Sequence, residues 1–273
     1  MNIADSGILL ASVVIGVILV CRFKFLSLQA TSKSPLDVSM WDCGWLFTLH
    51  VAAVILGSLI VELILLKGDT LSPLQMGSGA RLQTWRIPLV SILTLMLFFL
   101  FFSLYNFRLL RKLLSFRFNA FLFGCASWCV YFPILLAISF VFNSVMIYFG
   151  IPPVEQHAVS HLKETFTDKS LLLLNCVALL VVAPLMEEVL FRGVLQNALQ
   201  RFYSPFISIA MSAGIFALFH ASPEYGVRNI ELMAYLFLLA CFLGFVYVKN
   251  GNLAAPVGLH FFANAASVLF LSE

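Results

Sequence analysis

Three charged residues, Glu187, Glu188 and Arg192, interrupt the apolar second half of the chain. The helical apolar pattern continues past them, and it predicts one helix from about 171 to 200 with the carboxylates near its middle. A charged residue at the centre of a membrane helix costs roughly 2.5–3.5 kcal/mol on insertion scales. We therefore expect these side chains to face the protein interior and to have partners there.

The spacing distinguishes the two glutamates. Glu188 and Arg192 are four residues apart and share a helix face, so they are predicted to pair. Glu187 is turned about 100° away from Glu188 and has no cation near it in the sequence. Its carboxylate is therefore free to point towards another element, and an ionisable group inside a membrane is by default a functional candidate.

Two later apolar segments carry the polar residues His220, His260 and Asn264. At about 1.5 Å per helical residue, Glu187 and His220 lie ~20 Å and ~22 Å from a membrane edge near 201–205. By the same rise, His260 and Asn264 lie ~12 Å and ~18 Å from that edge. We predict that these groups meet in one layer near the membrane midplane.

This combination of groups has a recognisable chemistry. A carboxylate beside an imidazole can hold a water molecule and accept its proton, and a second imidazole with an amide can donate hydrogen bonds to an oxyanion. Water attack on a peptide carbonyl is one reaction that such a set could run. The carboxylate and two histidines (Glu187, His220, His260) could instead ligate a divalent metal such as Zn²⁺, although the HExxH helix of many zinc peptidases is absent.

The composition indicates that membrane helices hold these residues. The chain is 62% hydrophobic and 11% charged, whereas soluble domains have about 25% charged residues. A bilayer core needs ~20 apolar residues per helix. The candidate spans are 6–21, 43–61, 87–107, 118–154, 170–186, 202–223, 232–248 and 250–272. The second is predicted to extend to Leu66, and the fifth to continue to about residue 200 as described above. We predict an all-α, multi-pass integral membrane protein, a bundle of about eight transmembrane helices.

The chain is interpreted as one membrane domain, in which residues 1–169 supply N-terminal helices and loops and residues 170–273 form the catalytic core. No Lys or Arg precedes the first apolar run, so that run is predicted to be a retained span and not a cleaved signal peptide. Lys and Arg are more frequent in the loops after odd-numbered candidate helices, which favours termini outside the cytoplasm.

Other classes fit the sequence less well. The net charge of +3 comes with scattered basic residues, so nucleic acid is not an expected partner. The six cysteines have no paired spacing and are predicted to be packed thiols. A proton-coupled transporter also uses intramembrane Glu, Arg and His. It stays as an alternative, although no internal repeat is visible.

The polar residues form three spaced motifs, Glu187-Glu188-x-x-x-Arg192, Phe216-x-x-x-His220 and His260-x-x-x-Asn264. Together they resemble the motif set of the CAAX-protease and bacteriocin-processing (CPBP) intramembrane metalloprotease family, also called Ras-converting CAAX endopeptidases. The flanking Pro184, Phe191 and Gly193 and the Gly251-Asn252-Leu253-x-x-Pro256 approach match as well. The resemblance covers roughly 170–270.

The resemblance implies an intramembrane endopeptidase that cuts near the C-terminus of a prenylated protein, or that acts on other peptides in bacteria. It implies that Glu187 and His220 activate the water, that Glu188 and Arg192 form a supporting pair, and that His260 and Asn264 stabilise the oxyanion. A zinc-dependent and a metal-free glutamate mechanism both stay open. Expected partners are a peptide or prenylated-protein substrate and membrane lipid, in the cell membrane if the source is bacterial. A catalytically silent scaffold or bacteriocin self-immunity protein is the alternative within the same fold.

Overall fold

The computed structural model describes residues 36–71, 78–151, 165 and 168–271, together with scattered positions between 7 and 21. The regular elements among these residues are all helices, and none of the described residues forms a strand. The all-α prediction is therefore confirmed. Half of the first candidate span, 6–21, lies outside the described residues, and its described positions are helical.

We number the helices in chain order as α1 (Met40–Leu71), α2 (Ser78–Leu113), α3 (Phe118–Tyr148), α4 (Lys169–Leu199), α5 (Pro205–Leu218), α6 (Asn229–Asn250) and α7 (Ala254–Leu271). A short 3₁₀ segment, Pro223–Arg228, leads into α6. Five helices of the described part are long and apolar enough to cross a membrane, and α5 and α7 are shorter apolar helices. The protein is thus a multi-pass integral membrane protein, as predicted.

Helix α4 lies at the centre of the bundle. Every residue from Glu188 to Leu199 is buried, including the charged and polar side chains of Arg192, Gln196 and Asn197. Outer helices instead expose large apolar side chains, with Leu104 of α2 78% exposed. This arrangement is the one expected when lipid covers the outside and the polar groups must find partners inside.

Helix α4 is not regular along its length. It changes from α to π geometry at Ala178–Val182 and again at Val189–Gln196, on either side of the α-helical turn Ala183–Glu188 that carries both glutamates. Segments of π-helix are rare and are often found at functional sites. The two glutamates therefore lie in a short regular turn between two irregular ones.

Helices α3 and α7 cross at two glycines. A Cβ atom on Gly124 would overlap the carbonyl oxygen of Ala255, and one on Gly258 would overlap that of Phe121. Small residues allow helix backbones to approach closely within membranes. This contact fixes the first half of α7 against α3, and His260 lies in that half.

Two predicted spans are shorter than expected. The predicted span 118–154 ends at Tyr148, where the chain turns through Gly150 in a left-handed conformation with φ 69°. The predicted span 202–223 is wrong at its end, because α5 stops at Leu218 and His220 lies in the turn beyond it. Beyond that turn, the side chain of Asn229 accepts a hydrogen bond from the Ser222 amide at 2.9 Å, and the 3₁₀ segment begins at Pro223.

Candidate active site

The predicted polar residues converge on one place inside the bundle. Helix α4 supplies Glu187 and Glu188, α7 supplies His260, and the turn after α5 supplies His220. Of the residues predicted to share one layer, Glu187, His220 and His260 thus lie close together, and their predicted roles stay predictions. The way in which they contact one another could not be read from spacing.

Glu188 is the buried centre of the cluster, with none of its surface exposed. Its Oε1 atom accepts a hydrogen bond from Arg192 Nη1 at 3.0 Å, so the predicted ion pair is present. The same oxygen lies 2.9 Å from His260 Nδ1. One carboxylate oxygen thus holds both the arginine of its own helix and the histidine of α7.

Arg192 has further partners that sequence analysis did not identify. Its Nη2 atom donates to the carbonyl of Ala240 in α6 at 3.1 Å. Its guanidinium carbon lies 4.8 Å from the centre of the Phe216 ring, a cation–π distance. A buried guanidinium needs several such partners, but a backbone carbonyl and an aromatic face leave no charge pattern in the sequence.

Both histidines present their Nε2 atoms to Glu187. His220 Nδ1 lies 2.8 Å from the Phe216 carbonyl, and His260 Nδ1 contacts Glu188. A carbonyl and an ion-paired carboxylate can only accept, so each Nδ1 donates, and an imidazole in this tautomer carries its lone pair on Nε2. The Phe-x-x-x-His spacing thus fixes the tautomer of His220, because the carbonyl lies one helical turn before the imidazole.

Glu187 lies between the two imidazoles without bonding directly to either. Its Oε1 is 4.0 Å from His220 Nε2, and its Oε2 is 3.7 Å from His260 Nε2. These distances exceed those of a hydrogen bond, and separations of this size are commonly bridged by a water molecule. The Glu187 side chain is 25% exposed and that of His220 34%, in contrast to 0% for Glu188. The Glu187–His220 side of the cluster is therefore the accessible one.

Asn264 takes a position that the sequence did not predict. Its Nδ2 atom donates to the carbonyl of Leu179 in the first π segment of α4 at 2.9 Å. In that segment the Ala183 amide bonds to Ala178, and the next carbonyl, that of Leu179, would meet Pro184, which has no N–H. Asn264 therefore supplies the donor that the proline lacks. The predicted oxyanion role of its second N–H stays a prediction.

Glu187, His220 and His260 are also the candidate ligands of a metal ion. A carboxylate and two imidazole Nε2 atoms that face one another are ligands that Zn²⁺ accepts. Within the described part of the chain, however, no three His, Cys, Asp or Glu side chains are grouped closely enough to hold an ion as they stand. The side chains fit in chemical type and would need to move closer together, so the metal stays a prediction.

The segment that carries this cluster is similar to a known protein family. Residues 169–266 match the family described as type II CAAX prenyl endopeptidase Rce1-like, a segment that contains all six predicted site residues. The chain is also 31% identical over 107 residues to an uncharacterized 24.3 kDa protein of Escherichia coli. That alignment covers 38% of this chain and 48% of the relative, so the chain spans about half the relative's length. No solved structure matches. The resemblance drawn from the motifs is confirmed.

Proposed function

We propose that this chain, which carries a type II CAAX prenyl endopeptidase Rce1-like segment at 169–266, is an intramembrane endopeptidase. It would hydrolyse a peptide bond near the C-terminus of a protein or peptide, which is prenylated where the host prenylates proteins. The observation that carries this proposal is the Glu187 carboxylate, whose oxygens lie 3.7–4.0 Å from two imidazole Nε2 atoms inside the helix bundle.

In the proposed reaction, a water molecule between Glu187 and His220 loses a proton to the Glu187 carboxylate as its oxygen attacks the scissile carbonyl. A tetrahedral oxyanion forms. The protonated Glu187 then returns the proton to the departing amine as the C–N bond breaks. Each proton is accounted for, and His220 Nε2 orients the water by accepting its second hydrogen bond.

His260 has a conditional role in this proposal. Its Nδ1 proton is directed to Glu188, so its Nε2 can donate to the oxyanion only when the imidazole is protonated. Glu188 stabilises that cation directly, since its Oε1 is 2.9 Å away. The buried Glu188–Arg192 pair would thus act by holding and charging His260, while Glu187 and His220 contact the water. Asn264 would add its second N–H to the oxyanion.

A metal-dependent version uses the same residues. Glu187, His220 and His260 would hold a divalent ion such as Zn²⁺, and Glu188 would orient His260 through its Nδ1 proton, as outer carboxylates do in zinc sites. A bound zinc supplies a more acidic water and a polarised carbonyl. The two versions use the same residues in different roles, with Glu187 as base and His260 as donor in one and both as ligands in the other, and they differ in their response to a chelator.

A cleavage assay tests the proposal. Wild-type protein and the Glu187→Ala variant would be reconstituted in lipid with a farnesylated CAAX peptide, the unmodified peptide and a peptide library, each with and without chelator. Mass spectrometry would read the products. Cleavage by wild type alone supports the peptidase, preference for the farnesylated peptide defines the substrate class, and loss of activity with chelator selects the metal-dependent version.

Absence of cleavage would contradict the proposal if the protein is folded. A silent scaffold or bacteriocin self-immunity protein would then bind peptide without product, which can be measured by peptide retention. A proton-coupled transporter would instead acidify a proteoliposome lumen under a substrate gradient, which a pH-sensitive dye inside the vesicles would report.

A further inference from the structure

A basic surface at the end of α2 is not used by the proposed reaction. The helix is interrupted at Asn106, whose φ of −152° and ψ of 80° are not helical. Its side-chain oxygen accepts a hydrogen bond from the Leu109 amide at 3.0 Å, as an N-cap does. The last turns of α2, after Asn106, therefore form a separate short helix.

This short helix is amphipathic. Leu109, Leu110 and Leu113 are buried against the bundle. Arg108, Arg111 and Lys112 are exposed on the opposite side. An arrangement of this kind is typical of a helix at the membrane–water interface, where basic side chains meet lipid headgroups.

The three cations line one side of a cavity of about 590 Å³. Its other polar lining comes from Ser115, Tyr247 and Asn252, and no carboxylate is among the lining residues. No described residue forms an ion pair with any of the three cations. Three like charges around one cavity favour an anion at its centre.

An apolar cavity of about 340 Å³ adjoins the basic one. Leu113, Ser115 and Leu253 line both cavities. From there the apolar cavity extends along α4 and α7 as far as Leu185 and Phe261. Its lining is almost entirely aliphatic and aromatic, so it suits a hydrocarbon chain and not water.

We infer that the two cavities together bind one anionic phospholipid of the surrounding leaflet. The phosphate would lie among Arg108, Arg111 and Lys112, and one acyl chain would enter the apolar cavity past Leu253. The positive charge of the basic cavity favours an anionic headgroup. The adjoining apolar cavity favours an amphiphile over a soluble anion. The distribution of basic loops favours the cytoplasmic face for this edge, where anionic lipids attract basic segments.

The inferred lipid has a consequence for the active site. Leu185 and Phe261 at the inner end of the apolar cavity are two residues from Glu187 and one from His260. An acyl chain there would fill the space between α4 and α7, the two helices that hold these side chains. Binding to the folded state alone would raise the unfolding temperature as the lipid concentration increases.

Native mass spectrometry of the full chain in detergent tests the inference. Phosphatidylglycerol would be titrated against phosphatidylcholine with the same acyl chains, so that the two lipids differ in the headgroup alone. We expect one phosphatidylglycerol per chain at concentrations where phosphatidylcholine is not retained. The Arg111→Gln/Lys112→Gln variant should bind roughly 25-fold more weakly, since each basic side chain near an anionic surface contributes about fivefold.

A matched variant removes the same charge from the same membrane edge outside the cavity. Arg117→Gln/Lys249→Gln should keep wild-type affinity, because neither residue lines the basic cavity. Equal retention of the two lipids, or equal loss in both double variants, would show non-specific lipid binding and overturn the inference.

Competition experiments with two other ligands test whether the cavities bind something other than a phospholipid. Inorganic phosphate at millimolar concentration should not displace phosphatidylglycerol, and displacement would identify a site for a soluble anion instead. A farnesylated peptide should also leave the lipid bound. If the peptide expels it, the cavities belong to the substrate and the lipid inference fails, while the peptidase proposal stands.

Discussion

The Nδ1 atom of His260 lies 2.9 Å from Oε1 of Glu188, and this contact joins α7 to the centre of α4. Because that carboxylate is also paired with a buried guanidinium, it can only accept, and the imidazole must donate. The contact therefore sets which nitrogen of His260 faces the reactive carboxylate. In the proposed mechanism, the fully buried Glu188 would thus set the tautomer of the histidine that faces Glu187.

Glu187→Gln should abolish peptide cleavage, with a loss of about 10²–10⁴-fold, because an amide cannot accept the proton of water. The fold should remain, since Glu187 is partly exposed and makes no direct hydrogen bond in the cluster. Product formation and the thermal unfolding temperature in detergent would be measured together. Glu62→Gln, which removes a half-exposed acid paired with Arg86, is the matched control. Full activity of Glu187→Gln would disprove the water-activating role.

Arg192→Ala should destabilise the protein by about 3–5 kcal/mol, because it leaves the Glu188 carboxylate buried without its cation. Arg201→Ala is the comparison, since it breaks an ion pair with exposed Asp37 at 3.1 Å and should cost no more than about 1 kcal/mol. Unfolding by denaturant or heat in the same detergent measures both. Equal losses would mean that the buried pair adds little beyond an exposed one.

Asn264→Ala should cost about 1–3 kcal/mol by leaving the Leu179 carbonyl without a donor. The loss should be smaller in a Pro184→Ala background, because the backbone N–H restored at position 184 can take the place of the asparagine. A double-mutant cycle on unfolding stability measures this coupling. The wild type, the two single variants and the double variant also distinguish the oxyanion role of Asn264 from its structural role. A fall in kcat in Asn264→Ala that Pro184→Ala does not restore would be a catalytic effect. Additive stability losses would contradict the proposed link between the two residues.

Gly258→Ala and Gly124→Ala should each force α3 and α7 apart, because the added methyl group meets backbone that cannot rotate away. We expect lower stability and lower activity together, since His260 moves with α7. Gly214→Ala in α5 is the control, where a Cβ meets nothing within 4 Å and helix propensity favours alanine by up to about 1 kcal/mol. Wild-type stability of Gly258→Ala would show that the two helices are not held at that crossing.

The fold class of the protein and its membrane location were predictable from the sequence, and so were the candidate site residues. The deficit of charge required lipid around the helices, and the cost of burying Glu187, Glu188 and Arg192 required them to face inward. Helical periodicity then specified the Glu188–Arg192 pair, because both residues lie on one face of one helix. A constant rise per residue also predicted that Glu187, His220 and His260 come close together, and they do, although α4 contains π segments and His220 lies beyond the end of α5.

The contacts among those groups could be seen in the tertiary structure alone. The Nδ1 contact of His260, the Ala240 carbonyl, the Phe216 face and the Leu179 carbonyl all come from elements far apart in the chain. Backbone carbonyls and aromatic faces are present everywhere in a sequence, so their role depends on which helices pack together. That packing depends on the close glycine contacts between α3 and α7 and on the π segments of α4. Neither feature produces a regular residue spacing in the sequence.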